Sequence, residues 1–109
     1  MIQLDATFAA LADPTRRAIL ARLSAGEATV GELAAPFSIS LPAVSRHLKV
    51  LEDAALIINE RAGKHRRCRL RPEALKTASE WLDFYKSFWG GSLDRLEAHL
   101  KQSPENKTP

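Results

Sequence analysis

Basic side chains are concentrated in about a quarter of the chain, and they define its most evident chemistry. Residues 46–71 contain eight Lys or Arg residues and three Asp or Glu residues, a net charge of +5, whereas the rest of the 109-residue chain has a net charge of −2. Such a concentration of positive charge suits a polyanionic partner, a nucleic acid first and a membrane surface second. Charge alone does not separate these partners from a solvated basic face.

The sequence contains no pattern typical of catalysis or of a metal site. A covalent catalyst needs a nucleophile, a base and an orienting group, and Cys68 and His65 stand in no such motif. No glycine-rich phosphate-binding loop is present. The single cysteine excludes an internal disulfide and a multi-cysteine zinc site. We therefore predict that the protein is not an enzyme and has no cofactor and no resident metal.

Hydrophobic spacing and capping residues predict three helices in the first third of the chain. The first helix has an apolar stripe at i, i+4 and i+7, formed by Leu4, Phe8 and Leu11. Asp13 is a strong N-cap, and Pro14 is favoured at a first helical position. Together they predict a second helix over residues 14–24. Thr29 caps a short third helix.

The fourth predicted helix separates its apolar and polar residues most clearly. Ser40 is its N-cap, and its apolar stripe is Val44, Leu48, Leu51 and Ala55. The opposite face contains Pro42, Arg46, Lys49 and Asp53. One face is thus suited to packing and the other to solvent or a polar partner.

A basic hairpin and a last helix complete the predicted order. Residues 56–61 and 66–70 are predicted strands, joined by a turn-like segment over residues 62–65. The last helix has a loose stripe that includes Leu75, Ala78, Leu82, Tyr85, Trp89 and Leu93. Gly90–Gly91 is a candidate kink. We expect one domain over residues 1–101 and a disordered tail over residues 102–109.

Two short helices, a tight turn and a basic hairpin follow one another in the order of a winged helix-turn-helix. The predicted fold is mainly α with a small β-hairpin, in the order α-α-α-α-β-β-α. The helix after Ser40 is then expected in the major groove of DNA, and the hairpin on the backbone or the adjacent minor groove. The predicted DNA-binding residues are Ser40, Leu41, Pro42, Ser45, Arg46, His47, Lys49, Arg61, Lys64, Arg66 and Arg67.

Two sequence segments resemble the ArsR/SmtB family of bacterial transcriptional repressors. They are residues 10–20, ALADPTRRAIL, and residues 41–51, LPAVSRHLKVL, and the likeness extends from about residue 4 to residue 100. The resemblance implies a homodimer that binds a palindromic double-stranded operator and usually represses a nearby operon. It also implies dimer contacts from the first and last helices, for which the candidates are Leu4, Phe8, Leu11, Tyr85, Trp89, Leu93 and Leu96.

The chain departs from this family pattern at two places. Leu41 stands where many relatives have Gln, so the bidentate contact of an amide with adenine is replaced by apolar contact with a thymine methyl group. The Cys-x-Cys of metal-sensing relatives is absent from residues 30–35, VGELAA, and the last helix has one imidazole beside its acids. The chain is most similar to the metal-independent branch, for which no small-molecule effector follows.

Several assignments stay open at this point. His47 is a DNA contact or an ordinary surface histidine, and Arg16 and Arg17 contact phosphate or are simply solvated. The aromatic residues of the last helix form a subunit seam or an effector pocket. Alternative functions are a metal- or thiol-responsive sensor of the same fold and a winged-helix protein-interaction module. No membrane segment or secretory signal is visible, so we expect the cytoplasm.

Overall fold

The structure is a computed structural model that describes residues 3–88 and 97–100. Its elements in chain order are α1 (Leu4–Leu11), α2 (Pro14–Leu23), β1 (Ala28–Thr29), α3 (Val30–Ala34), α4 (Leu41–Asp53), β2 (Ile57–Ala62), β3 (His65–Leu70) and α5 (Glu73–Asp83). This order confirms the predicted mainly helical fold with a β-hairpin and adds one short strand, β1.

The chain divides into two compact units, and the boundary falls within α5, between Ala78 and Ser79. The single domain over residues 1–101 therefore stays a prediction. The expected disordered tail over residues 102–109 lies outside the described residues.

Side-chain caps fix where three of the helices begin. The Asp13 carboxylate accepts a 3.0 Å hydrogen bond from the Arg16 amide at the start of α2. Thr29 and Glu32 form a reciprocal capping box at α3, with Thr29 Oγ1 accepting from the Glu32 amide at 3.1 Å. Ser40 Oγ accepts from the Ala43 amide at 3.3 Å and starts α4. These bonds satisfy amides that have no partner inside the helix, which confirms the predicted caps.

The apolar stripe of α4 lies at the centre of the core. Val44, Leu48 and Leu51 are almost fully buried, in one cluster with residues from α2, α3 and the sheet: Ile19, Leu20, Leu23, Leu33, Leu56, Ile57 and Cys68. Because this face is buried, the opposite face of α4 is left for solvent or a partner.

The predicted stripe of α4 is wrong at its last position. The helix ends at Asp53, and Ala55 has a left-handed backbone with φ +60°. The Ala55 amide donates to Glu52 O and the Leu56 amide to Leu51 O, both at 2.9 Å. This pair of bonds is a Schellman motif, in which glycine is the usual left-handed residue. It turns the chain out of α4 into β2.

The first helix is rotated relative to the predicted stripe. Thr7 and Ala10 are its buried residues, whereas Leu4, Phe8 and Leu11 are half-buried. The Thr7 hydroxyl donates to Gln3 O at 3.0 Å, so a polar side chain is satisfied in the interior. The small Thr7 and Ala10 side chains allow α1 to pack on α2 and α4.

The three strands form an antiparallel sheet in the order β1-β3-β2. Ala28 and Thr29 of β1 pair with Cys68 and Arg67 of β3. The hairpin closes from Ala62 to His65 through a two-residue turn, for which Gly63 supplies a φ of +64°. His65 therefore belongs to the strand rather than to the predicted turn.

Regular helix ends earlier in the last element than the sequence predicts. After Asp83 the Phe84 amide bonds Trp81 O at 3.3 Å and the Tyr85 amide bonds Leu82 O at 2.9 Å, which are three-residue spacings. The predicted stripe is thus interrupted at Phe84. The predicted kink at Gly90–Gly91 lies outside the described residues.

Candidate nucleic-acid interface

A groove of about 620 Å³ separates the exposed face of α4 from the hairpin. It brings together five of the predicted DNA-binding residues: Leu41, Ser45, Lys49, Lys64 and Arg66. Three come from α4 and two from the hairpin, so the two elements meet along one surface. The start of α3 closes the groove on a third side, where Thr29 and Glu32 lie.

The remaining predicted residues of α4 have different surroundings. The Ser40 hydroxyl is occupied by its capping bond, and Pro42 and Arg46 are exposed outside the groove. Leu41, at the first position of the helix, is 57% exposed. More than half of this side chain is accessible, so it is available for contact with a partner.

Arg66 and Arg67 lie on opposite faces of the hairpin because side chains alternate along a strand. Arg66 Nε donates to Asn59 Oδ1 at 3.2 Å, and both residues line the groove beside α4. Arg67 lies on the other face, where its Nη1 is 3.6 Å from Glu27 Oε1. The structure therefore brings Arg66 to α4 and does not bring Arg67 there.

Arg61 pairs with Arg66 across the hairpin, although it does not line the groove and borders a smaller depression of about 190 Å³. On the other face of the hairpin, that depression is lined by Arg67, Arg69, Glu27 and Glu60. Arg69 Nη2 is 3.1 Å from Glu60 Oε1. Acids thus offset part of the positive charge on this face, which sequence counting alone did not show.

An exposed ion pair also modifies the charge of α4. Lys49 Nζ is 2.9 Å from Asp53 Oδ1, one helical turn away. The hydrogen bond that Lys49 donates to the Asp53 carboxylate raises the pKa of Lys49 above its usual value. Since exposed pairs of this kind are weak, a phosphate competes readily for the ammonium group.

A contact that the sequence did not predict ties α4 to the start of α2. Arg16 Nη1 lies 3.2 Å from His47 Nδ1, and Asp13 Oδ2 lies 3.8 Å from the same nitrogen. The other donors of Arg16 are directed to the end of α1: Nε bonds Ala10 O at 2.7 Å and Nη2 bonds Ala9 O at 3.1 Å. The Arg16 side chain is therefore a bridge between helices.

Arg17 makes a related but smaller contact. Its Nη1 donates to Leu11 O at 2.7 Å. Both arginines of the ALADPTRRAIL segment thus hold carbonyl groups at the end of α1, but only Arg16 reaches α4. The cap formed by Asp13 is the sequence signal that points to this corner. The bond from the Arg16 amide also lowers the pKa of Asp13 below its usual value.

Aromatic side chains are exposed on the segment that follows Ser79. Phe84 and Phe88 are 75% and 77% exposed, and Trp81 and Tyr85 are also exposed. Tyr85 is at the centre of this set, with its ring centroid 5.0 Å from Trp81, 5.1 Å from Phe84 and 6.2 Å from Phe88. The predicted dimer residues Trp89, Leu93 and Leu96 lie outside the described residues.

Metal and thiol chemistry find little support in the described residues. Across residues 3–88 and 97–100, no three His, Cys, Asp or Glu side chains are grouped so as to hold a metal ion. Cys68 is fully buried, and this burial raises the pKa of its thiol.

No helix in the described part of the chain is both long and apolar enough to cross a bilayer.

Comparison with known proteins agrees with this geometry. The sequence profile of a helix-turn-helix domain family matches residues 11–61. The HTH-type transcriptional regulator Rv2034 of Mycobacterium tuberculosis is 46% identical over 89 residues, which cover 82% of this chain and 80% of that protein. The transcriptional repressor SdpR of Bacillus subtilis is 37% identical over 79 residues, which cover 72% of this chain and 88% of that protein.

A solved structure extends the likeness to three dimensions. A crystal structure of an ArsR family transcriptional regulator superposes with a TM-score of 0.75 at 44% identity, covering 80% of this chain and 96% of that one. The chain belongs to the ArsR family of helix-turn-helix transcriptional regulators, which act by binding DNA.

Proposed function

We propose that the protein is a homodimeric repressor that recognises a palindromic operator and controls a nearby operon in the cytoplasm. Each subunit inserts α4 into the major groove and lays its hairpin on the backbone or the adjacent minor groove. The observation that carries this proposal is the common groove of α4 and the hairpin, lined by Ser45, Lys49 and Arg66. The repressor named among the relatives supports the direction of regulation.

Different residues have different parts in this complex. The exposed Leu41, Pro42 and Arg46 at the start of α4 face base edges, whereas Ser45, Lys49, Lys64 and Arg66 contact sugar and phosphate along the groove. Arg67 is on the far face of the hairpin, and Arg61 does not line the groove, so both contribute mainly long-range attraction. Direct base contacts give sequence preference, and phosphate contacts give affinity that falls as salt increases.

The exposed aromatic residues support self-association. Monomeric proteins seldom expose a contiguous aromatic patch, and such patches commonly mark subunit interfaces. Phe84, Tyr85 and Phe88 provide such a patch within the segment that follows Ser79. The half-buried Leu4 and Phe8 of α1 supply further apolar surface. Two-fold symmetry places the two operator half-sites about 10 bp, or a multiple of that, apart.

The regulator acts without a bound metal in this proposal. The residues that correspond to thiol ligands in metal-sensing relatives are apolar or acidic here, and Cys68 is buried. Zinc, arsenite or persulfide added at micromolar concentration to the protein–operator complex is expected to leave it intact. Release of the operator by one of these ligands would favour the sensor function instead.

Footprinting on the DNA upstream of the protein's own coding sequence tests the proposal. The expected result is one protected, symmetric site with a stoichiometry of two chains per duplex. Arg46→Ala is expected to weaken binding by about 1–3 kcal/mol and to relax preference at one position in each half-site. Equal binding to this region and to scrambled DNA would contradict sequence-specific recognition and would favour the protein-interaction module.

A further inference from the structure

We propose that Arg16 acts as a positioning residue for DNA recognition by fixing the tautomer of His47. In this arrangement His47 keeps its proton on Nε2 and presents it as a hydrogen-bond donor to an acceptor on the duplex. This inference rests on the proposed function, in which the exposed side of α4 contacts DNA. It assigns a role to a residue of α2 that does not line the groove.

The chemistry of arginine decides which tautomer is present. A guanidinium group has five N–H donors and no acceptor, and it stays protonated in proteins. His47 Nδ1, at 3.2 Å from Arg16 Nη1, must therefore accept the hydrogen bond with its lone pair. A neutral imidazole that accepts at one nitrogen has its proton on the other, so Nε2 is the donor.

The guanidinium is held in place by bonds that do not involve His47. Its Nε and Nη2 donate to Ala10 O and Ala9 O at 2.7 and 3.1 Å. The Arg16 amide is anchored in the Asp13 cap at 3.0 Å. Because Nε and Nη2 are both held and the guanidinium is planar, Nη1 meets His47 from a fixed direction. The tautomer is thus determined by the corner between α1 and α2.

The second ring nitrogen of His47 remains available. Within the described residues Nε2 has no hydrogen-bond partner, and no side-chain nitrogen or oxygen is both buried and unsatisfied. Nε2 is therefore open to solvent, although the His47 side chain as a whole is only 23% exposed. A donor at this position matches the acceptors that DNA offers, which are phosphate oxygens and, in the major groove, purine N7, guanine O6 and thymine O4.

Asp13 and Arg16 favour opposite tautomers of His47. Asp13 Oδ2 lies 3.8 Å from His47 Nδ1 and can accept a hydrogen bond from a protonated Nδ1 once Arg16 is removed and the two side chains move closer. The proton would then move to Nδ1, and Nε2 would present a lone pair instead of an N–H. A lone pair repels the acceptor oxygens of DNA, so the change weakens the complex without moving α4.

Long-range ¹H–¹⁵N correlation spectra of the full-length protein test the tautomer directly. In alkaline buffer, where imidazoles are neutral, we expect His47 to show a protonated Nε2 and a bare Nδ1. Arg16→Ala is expected to increase the fraction with protonated Nδ1, whereas Arg17→Ala, which removes a bond to α1 alone, is expected to leave the ring unchanged. A wild-type ring protonated at Nδ1, or a ring that does not respond to Arg16→Ala, would overturn the proposal.

Operator binding tests the consequence. Arg16→Ala is expected to lower affinity about tenfold, and Arg17→Ala by no more than about twofold. In a His47→Gln background the amide can turn its NH₂ outward without help from Arg16, so adding Arg16→Ala is expected to cost less than about twofold. Equal effects of Arg16→Ala in both backgrounds would show a purely structural role and overturn the proposal.

Two controls keep the outcomes distinguishable. If Arg16→Ala does not fold, Arg16→Lys replaces it, because a single ammonium group cannot serve Ala9 O, Ala10 O and His47 together. Thermal unfolding of every variant separates lost stability from lost affinity. If the wild-type protein binds no duplex, the proposed function fails with the DNA role of His47. If DNA binds but the ring does not respond to Arg16, only this inference fails.

Discussion

Arg67 Nη1 lies 3.6 Å from Glu27 Oε1, on the face of the hairpin opposite to the groove that its neighbour Arg66 lines. Two adjacent arginines thus have different partners, although the sequence predicts the same DNA-binding role for both. Alternation along β3 produces the difference, because one residue of the pair must face α4 and the next must face away.

The pair therefore offers a matched test of the DNA interface. Arg66→Ala is expected to weaken binding on matched and scrambled duplexes by a similar factor and to reduce the salt slope by about one. Arg67→Ala is expected to change the slope by less, since the lost charge is already paired with an acid. Filter binding over a range of salt concentrations measures both slopes. Equal reductions in the two variants would contradict the separation of the two faces.

Leu41 is expected to recognise a thymine methyl group. The side chain is 57% exposed at the first position of α4 and has no polar atom with which to bond a base. Replacing single operator thymines by deoxyuridine removes only the methyl group, which is worth about 0.8 kcal/mol when buried. One position per half-site should lose about fourfold in affinity with the wild type, and Leu41→Ala should lose nothing there. No sensitive position, or the same loss in Leu41→Ala, would disprove this contact.

Ala55→Gly is expected to stabilise the fold. A non-glycine residue at φ +60° costs about 1–2 kcal/mol, and the larger entropy of glycine in the unfolded chain offsets part of the gain. We expect a net increase of about 0.5–1 kcal/mol in the free energy of unfolding, measured by urea denaturation. Ala54→Gly is the control, because Ala54 is buried and has an ordinary negative φ. This variant should have a lower free energy of unfolding than the wild type. Loss of stability in Ala55→Gly would contradict the Schellman interpretation.

Acid is expected to weaken two helix caps. The Arg16 amide lowers the pKa of Asp13, and the Thr29 amide lowers the pKa of Glu32. A carboxylate with a lowered folded-state pKa stabilises the protein above the usual carboxyl range, and this contribution is lost as pH falls through the folded-state pKa. Urea unfolding at decreasing pH should therefore show a shallower decline below about pH 4 in Asp13→Asn and Glu32→Gln than in the wild type. If the free energy of unfolding fell equally with pH in all three proteins, the two carboxylates would not contribute to the acid sensitivity.

Self-association is expected to depend on the exposed phenylalanines. Phe84→Ser combined with Phe88→Ser removes two aromatic rings that are about three-quarters exposed, so sedimentation velocity should show a monomer where the wild type is a dimer. Operator affinity should fall with it, because two half-sites are no longer bound together. Lys86→Ser, a polar change between the two positions, is the control. A monomeric wild type, or an unchanged double variant, would contradict the proposed seam.

The helix starts and the fold were predictable because their signals are local. Asp13, Thr29 and Ser40 cap the helices that follow them, and Val44, Leu48 and Leu51 repeat at the spacing of one helical face. These features depend on neighbours within one or two turns, which the sequence displays directly.

The other features of the site depend on partners that are distant in sequence. The contact of Arg16 with His47 spans 31 positions, and the pairing of β1 with β3 joins Ala28 to Cys68. No local pattern encodes either one. Ala55 was misplaced for another reason, since a left-handed alanine has no compositional signal where glycine would have had one.

The short strand β1 has a mechanical consequence for the hairpin. It pairs only with Cys68 and Arg67, so β3 has two neighbours near its middle and a single neighbour from Arg66 to the turn. The pairing with β1 holds the base of the hairpin, so we expect the outer part, from Arg66 to the turn, to bend more easily than the base. Such bending would let the hairpin follow variation in groove width from one duplex to another without changing the register of α4.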